Sequence, residues 1–346
     1  MIRLDGFPRS ESRLPVLDVV IPVYNEEGSI PLLLERLDAL VAQTAEARIH
    51  VILVDDHSTD ASPALLKEAC ARREHCSYLR LARNSGSHVA ILAGLEHSRG
   101  DCAVFLAADL QDPPELIREM LAAWRRGARV VWAVRQDREG IPWSEKLFSS
   151  LFYALVNRFT QVRLPSRGSD FALLDRMVVN ALLRSVGANP SLGGEIARLG
   201  FSQAEVPYVK QARRFGRSKW TLGRKLQAFA DAFVSFSYQP VRLMSYLGLL
   251  VSLLGFLSAL AIIVMRLAHV TELEGWASLM VVVLVLGGFQ MTMLGVLGEY
   301  LWRTLEAARH RPLYILEDWH GVDGLEDPSL RRGQVVEAPG PPAGAR

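Results

Sequence analysis

The chain has 346 residues, 50% of them hydrophobic, and 39 Lys and Arg against 37 Asp and Glu give a net charge of only +2. Length allows one large or two ordinary domains, while the near-neutral balance names no partner and leaves no reason to expect nucleic acid. Three cysteines, Cys70, Cys76 and Cys102, are odd in number and lack metal-ligand spacing, which points to a reducing compartment and no disulfide framework.

In chain order, Met1 to Leu14 contains no apolar h-region, so no cleavable signal peptide is expected, and the first fifteen residues read as a poorly ordered tail. From Leu17 to about Tyr208 short β-rich runs alternate with helical segments. Leu17–Val23, His50–Val54, Tyr78–Leu81, Cys102–Leu106 and Arg129–Val134 read as strands. Ser29–Ala42, Asp60–Arg73, Ser87–Ser98 and Pro114–Arg126 read as crossover helices. That order predicts an α/β domain with a mostly parallel sheet and helices on both faces. Neither a Gly-x-Gly-x-x-Gly turn after the first strand nor a Walker A loop is present, which disfavours a dinucleotide-binding Rossmann domain.

The strand ends instead carry acids and planar groups, at the lip where open α/β sheets bind ligands. Pro22, Tyr24 and Glu26 close the first strand, and Asp55 and Asp56 close the second in Val-Asp-Asp-His-Ser-Thr-Asp60. A carboxylate there accepts a base imide or ribose hydroxyls, and a tyrosine stacks on a base. The structural alternative is an Asx turn and N-cap made by Asp56, Ser58 and Asp60. Asp60 is assigned to that cap. Asp55 and Asp56 are assigned to ligand, since two adjacent acids exceed what one cap needs. After the fourth strand come Ala107-Ala108-Asp109-Leu-Gln111-Asp112-Pro-Pro-Glu115. Asp109 suits a hard divalent cation on a diphosphate, and Asp112, before two prolines, reads as a helix cap.

Lys210 to Lys225 holds seven Lys and Arg and no acid. Leu222, Leu226, Phe229, Phe233 and Phe236 then recur at helical spacing, which suits an interfacial helix or one packed on the preceding domain; Phe152, Tyr153 and Phe159 suggest a second such surface helix. Leu243 to Met265 and Trp276 to Gly298 are each 23 residues without a charge, long enough to cross a bilayer. The loop between them holds Glu272 and Glu274, whereas Arg224, Lys225 and Arg242 precede the first run and Arg303, Arg309 and Arg311 follow the second. The positive-inside rule then puts both ends in the cytoplasm. Gly248, Ser252, Gly255 and Ala259 in one run and Gly288, Thr292 and Gly295 in the other form small-residue stripes. These suit close helix packing, within the pair or in a homo-oligomer. The layout expected is a tail over 1–15, a catalytic domain over 16–210 and a basic loop with an interfacial helix over 211–240. Transmembrane helices over 241–267 and 276–303 flank an external loop over 268–275, and a cytoplasmic tail over 304–346 loses order at its end.

Together these residues resemble the inverting family 2 glycosyltransferases of GT-A fold. The likeness is to the polyprenyl-phosphate branch that includes dolichyl-phosphate mannose synthase and bacterial membrane-anchored relatives. The motifs that carry it are Val-Val-Ile-Pro-Val-Tyr-Asn-Glu (19–26), Val-Asp-Asp-His-Ser-Thr-Asp (54–60), Arg-Asn-Ser-Gly (83–86) and Ala-Asp-Leu-Gln-Asp-Pro-Pro-Glu (108–115). Arg135, Ser-Asp-Phe-Ala-Leu-Leu-Asp (169–175) and Gly-Arg-Ser-Lys-Trp (216–220) complete the set. The resemblance implies that Pro22, Tyr24, Glu26 and Asp55 or Asp56 hold the nucleoside of a nucleotide-sugar donor, UDP-linked in the reading taken here. It implies Mg²⁺ or Mn²⁺ on Asp109 and Gln111, and Arg135, Arg213 and Lys219 neutralising the leaving diphosphate and the acceptor phosphate of a polyprenyl (undecaprenyl) phosphate. Asp170 would face the sugar. The family's Asp-x-Asp is Ala107-Ala108-Asp109 here, one carboxylate short, and His57 stands where glycine is common. A processive polysaccharide synthase would need a Gln-x-x-Arg-Trp motif and more spans, neither of them present. The remaining alternative is a catalytically weak, membrane-anchored scaffold, motivated by Ala107.

Overall fold

The computed structural model describes residues 13–136, 171–186, 192–211, 239–267, 275–309 and 311–322. The chain divides into two compact units, Met1–Lys225 with Arg311–Arg346, and Leu226–His310.

The first unit is built on one eight-stranded sheet. Its elements run β1 (Val16–Val23), α1 (Ile30–Gln43), β2 (Arg48–Asp55), α2 (Ser62–Ala71), β3 (Cys76–Leu81), α3 (Ser87–His97), β4 (Cys102–Phe105), α4 (Ile117–Arg125), β5 (Val130–Arg135), β6 (Ala172–Asp175), α5 (Arg176–Ser185), α6 (Leu192–Arg198), β7 (Gln203–Tyr208) and β8 (Leu316–His320). A short 3₁₀ turn, Pro114–Leu116, leads into α4. The strand order is β7-β5-β6-β4-β1-β2-β3-β8.

Period-two alternation in β1 explains the two cores. Leu17, Val19, Ile21 and Val23 pack on one face with Ile30, Leu33 and Leu37 of α1, Leu66 of α2 and Ile117, Met120 and Trp124 of α4. Val20 packs on the other face with Ala90 and Leu92–Leu95 of α3, Val178 and Leu182 of α5 and Ile196 of α6. The close approach of α3 depends on Gly94, where an added Cβ would stand 2.3 Å from Val20 Cγ1 and 3.1 Å from Val54 Cγ2. The helices begin where proline is tolerated, with Pro in the first turn of both α1 and α2.

The five strands and four helices expected from the sequence are present, within two residues or so at their ends, in the Rossmann-like GT-A arrangement. The expectation of a mostly parallel sheet holds only for its centre, β4-β1-β2-β3. β6 runs antiparallel to both β4 and β5, β8 runs antiparallel to β3, and β5 pairs in parallel with β7. The sheet is therefore mixed. β6 is Ala-Leu-Leu-Asp, four buried residues too short for a period to distinguish strand from helix. β8 arrives from beyond the apolar helices, across more than two hundred residues of sequence. The disulfide expectation also fails: Cys70 at the end of α2 and Cys76 at the start of β3 form a pair with Cα atoms 4.8 Å apart, while Cys102 is free and buried.

The second unit contains α7 (Gln239–Leu267) and α8 (Trp276–Ala308). Val281–Trp302 of α8 is the one stretch among the described residues long and apolar enough to cross a membrane, and α7 contributes a shorter apolar stretch, Tyr246–Ser258. Leu249 and Phe256 of α7 and Val285 and Met291 of α8 are exposed. A Cβ on Gly248 would lie 3.6 Å from Met293 Cε, whereas Gly255, Gly288 and Gly295 face open space. Part of the small-residue stripe thus lies in the seam between the two helices.

Candidate active site

The polar lip lies where the strand order reverses, at the C-terminal ends of β4, β1 and β2, a position that leaves a crevice between adjacent loops. Among the described residues, three non-glycine residues have left-handed backbones, Asn25 (φ 52°), His57 (φ 61°) and Leu110 (φ 59°). One follows each of β1, β2 and β4. Such conformations cost roughly 1–3 kcal/mol and persist only where the surroundings over-determine them. A left-handed backbone is one that favours glycine, and His57 adopts it with its Nδ1 3.2 Å from the Leu81 carbonyl.

The β1 and β2 loops are stitched together. Asn25 N donates to Ser58 Oγ (2.9 Å), Thr59 N donates to Asn25 Oδ1 (2.8 Å), and Ser62 Oγ accepts from Glu26 N (3.0 Å). Pro22 is the penultimate residue of β1, opposite Val54, and Tyr24 is half-buried beside it. The Glu26 carboxylate accepts from Ser29 Oγ at 2.8 Å. Asp60 accepts from Ser62 N (3.0 Å) in the expected Asx turn and from Glu27 N (3.2 Å), but it is not the N-cap expected of it, since the cap position of α2 is Ala61, without a side-chain hydrogen bond.

Both adjacent acids have structural partners. Asp55 is fully buried; its Oδ1 accepts from Ser58 N (3.0 Å) and its Oδ2 from Arg80 Nη1 (2.5 Å). Asp56 is 3% exposed and accepts from Ser85 N (2.7 Å) and Gly86 N (2.8 Å), holding the turn that opens α3. Burial pushes the Asp56 carboxyl above its ordinary range, against the pull of those two N–H donors. Arg80 is not singled out by the sequence, although one arginine inside the otherwise uncharged run Cys76–Leu81 signals a part-buried charge that needs a partner.

On the other side of β1, Ala108 is buried and Asp109 and Gln111 are half-exposed at the tip of the turn, with Gln111 N donating to Asp109 Oδ1 (3.2 Å). Asp112 is not a helix cap. The cap position is Pro113, without a side-chain hydrogen bond, and Asp112, 1% exposed, accepts from the Tyr208 hydroxyl (2.5 Å) with Lys210 Nζ at 3.7 Å. The reason is tertiary: β7 delivers Tyr208 and Lys210 to this acid. Burial, then Asp112, pushes the Tyr208 phenol far up, so it stays a donor. Gln211 N also donates to the Gln111 carbonyl (2.9 Å). The start of the basic stretch is thereby pinned to the Asp109 turn. Arg135, exposed at the end of β5, is opposite Tyr208 in the sheet register. Asp170, Arg213 and Lys219, with the surface helices expected around Phe152 and Phe229, lie outside the described residues.

Among the described residues no group of three His, Cys, Asp or Glu side chains converges to cage a metal. The donor set at the tip, one carboxylate and one carboxamide on hard oxygen, instead fits a Mg²⁺- or Mn²⁺-like ion whose shell is completed by water and substrate phosphate.

The chain matches the family described as Glycosyl transferase family 2 over residues 18–183. An uncharacterized glycosyltransferase, YkcC, of Bacillus subtilis (strain 168) is 37% identical over 305 residues, which cover 88% of this chain and 94% of the relative. An undecaprenyl-phosphate 4-deoxy-4-formamido-L-arabinose transferase of Klebsiella pneumoniae is 36% identical, covering 87% of this chain and 92% of its own. A bactoprenol glucosyl transferase of Shigella phage SfV is 32% identical, covering 87% and 98% respectively.

Proposed function

This chain belongs to glycosyl transferase family 2, and on that premise we propose that it moves a sugar from a nucleotide-sugar, UDP-linked in our reading, to a polyprenyl phosphate held in the membrane. The observation that carries the reading is the Asp109–Gln111 turn at the reversal point of the sheet, in a chain whose full-length relatives include transferases named for undecaprenyl phosphate and bactoprenol.

The chemistry asked of the site is displacement at the anomeric carbon by a phosphate oxygen, with the bond to the departing nucleoside diphosphate breaking on the opposite side. One in-line displacement inverts the centre. A phosphate monoester, with a second pKa of about 6, is already mostly dianionic at neutral pH, so no strong base is needed. What remains is to hold two anionic groups in line and stabilise charge on the leaving diphosphate. Pro22, Tyr24 and Glu26 line the nucleoside, with Asp56 fixing the Ser85–Gly86 side of that pocket and Asp55 the turn beneath it. Asp109 and Gln111 would hold a divalent cation on the diphosphate, supplying Lewis-acid charge compensation there. Arg135, Arg213 and Lys219 neutralise the two phosphates, and Asp170 orients sugar or acceptor. Basic residues of the Lys210–Lys225 stretch not used in this way face anionic lipid, each contributing about 1 kcal/mol.

We take α7 and α8 as two membrane spans with the catalytic unit and both termini on the cytoplasmic side. At about 1.5 Å per residue the 29-residue α7 and the 33-residue α8 both exceed a hydrocarbon core of roughly 30 Å. The deciding experiment uses the full chain in detergent with a short polyprenyl phosphate, Mg²⁺ or Mn²⁺ and a panel of nucleotide-sugars. A chloroform-soluble, acid-labile sugar is expected. Absence of product with every donor would instead favour a catalytically inert scaffold.

A further inference from the structure

The strand that follows the apolar helices has contacts reaching into the nucleoside side of the site. β8 pairs with β3, placing Arg80 opposite Asp318 and Leu79 opposite Trp319. From that register Glu317 Oε2 accepts from Arg80 Nε at 2.8 Å. The same guanidinium donates from Nη1 to buried Asp55 and from Nη2 to the Ser58 carbonyl (3.3 Å). Asp55 Oδ1 takes the Ser58 N–H in return. One planar cation therefore grips both sides of the turn after β2, and Glu317 sets the plane of that cation. His57, on the turn itself, has Nδ1 3.5 Å from the same Glu317 oxygen. The turn passes its position on: Ser58 Oγ and Thr59 N bind Asn25, the left-handed residue between Tyr24 and Glu26.

We infer that Arg80 and Glu317 are positioning residues for the donor's nucleoside, so that β8 is a working part of the donor pocket rather than a tail. The inference rests on the reading of this lip as a nucleotide-sugar site. Loss of the Glu317 charge frees the guanidinium to rotate about its bonds to Asp55, and the turn that carries His57 and Ser58 loosens. Binding of donor weakens; displacement at the sugar, which uses the other side of the crevice, does not.

The test uses the full chain in detergent, with UDP as the probe and GDP and dTDP in parallel, and Mn²⁺ present. Calorimetry gives nucleoside diphosphate affinity and sugar transfer gives donor KM, acceptor KM and kcat. Glu317→Gln is expected to raise the nucleoside diphosphate Kd and the donor KM about threefold to fivefold, the size of a part-exposed ion pair, with kcat and acceptor KM within about twofold of wild type. Lys67→Met is the control, since the exposed Lys67–Asp318 pair (2.7 Å) ties α2 to β8 but touches no residue of the turn. It should leave all four quantities unchanged. Wild type that binds a nucleoside diphosphate no better than Glu317→Gln does overturns this inference alone, as does an equal loss in Lys67→Met, which would reduce β8 to a docking element. Wild type that holds no nucleoside diphosphate of any base overturns the proposed function and this inference with it.

Discussion

Tyr208→Phe removes one hydroxyl at the junction between β7 and the Asp109 turn. The ring stays, along with its edge-to-face contact on Phe171 (centroids 6.1 Å apart); the hydroxyl goes, with its bond to Asp112 and its interaction with the Arg135 side chain. Asp112 is 1% exposed, so water does not replace the lost donor. A hydrogen bond to a charged group is worth about 1.5–3 kcal/mol, and in a unit of this size each kcal/mol moves the melting temperature by roughly 2–4 °C. A fall of about 3–12 °C is therefore expected in a thermal melt followed by tryptophan fluorescence. The same bond anchors the strand whose next residues bind the Gln111 carbonyl, so kcat should fall by about tenfold, equivalent to roughly 1.4 kcal/mol of misplacement. Asp112→Asn, which keeps an acceptor for the phenol, should melt closer to wild type than Tyr208→Phe does. A melting temperature within about 1 °C of wild type, with kcat unchanged, would show that the junction is not coupled to the turn.

Asp109→Asn and Lys219→Ala should each cut turnover by about 10²-fold or more while leaving membrane insertion intact; near-normal rates in both variants would dismantle the site assignment. Gly94→Ala forces a methyl to within 2.3 Å of Val20 Cγ1 and should destabilise the catalytic unit by about 1–3 kcal/mol, read in a urea titration. The Arg73 guanidinium, bonded to Asp38 at 2.7 Å, holds that carboxyl below its ordinary value. A depressed folded pKa adds stability that is fully present above the unfolded pKa of about 3.9 and is lost as pH falls through the lower folded value. Arg73→Gln should accordingly lower stability at neutral pH, only slightly because Asp38 is 42% exposed and solvent-screened, and converge with wild type below about pH 4, so that the acid limb is flatter.

Local periodicity was enough to find the parallel centre of the sheet. β1 through β5 and α1 through α4 each carry a buried run or stripe that a short window detects, and the acids that follow β1, β2 and β4 mark the lip because no local cap needs so many. The Asp109 turn was legible for the same reason. Three outcomes were not: the reversal of β6, the pairing of β8 with β3, and the partners of Asp55, Asp56 and Asp112. Each depends on residues far apart in sequence meeting through the sheet, Arg80 with Glu317 or Tyr208 with Asp112, and strand pairing has no local signature. A carboxylate before a pair of prolines looks like a cap to any window. Only when β7 brings a phenol to it does burial decide that it serves the site's frame instead.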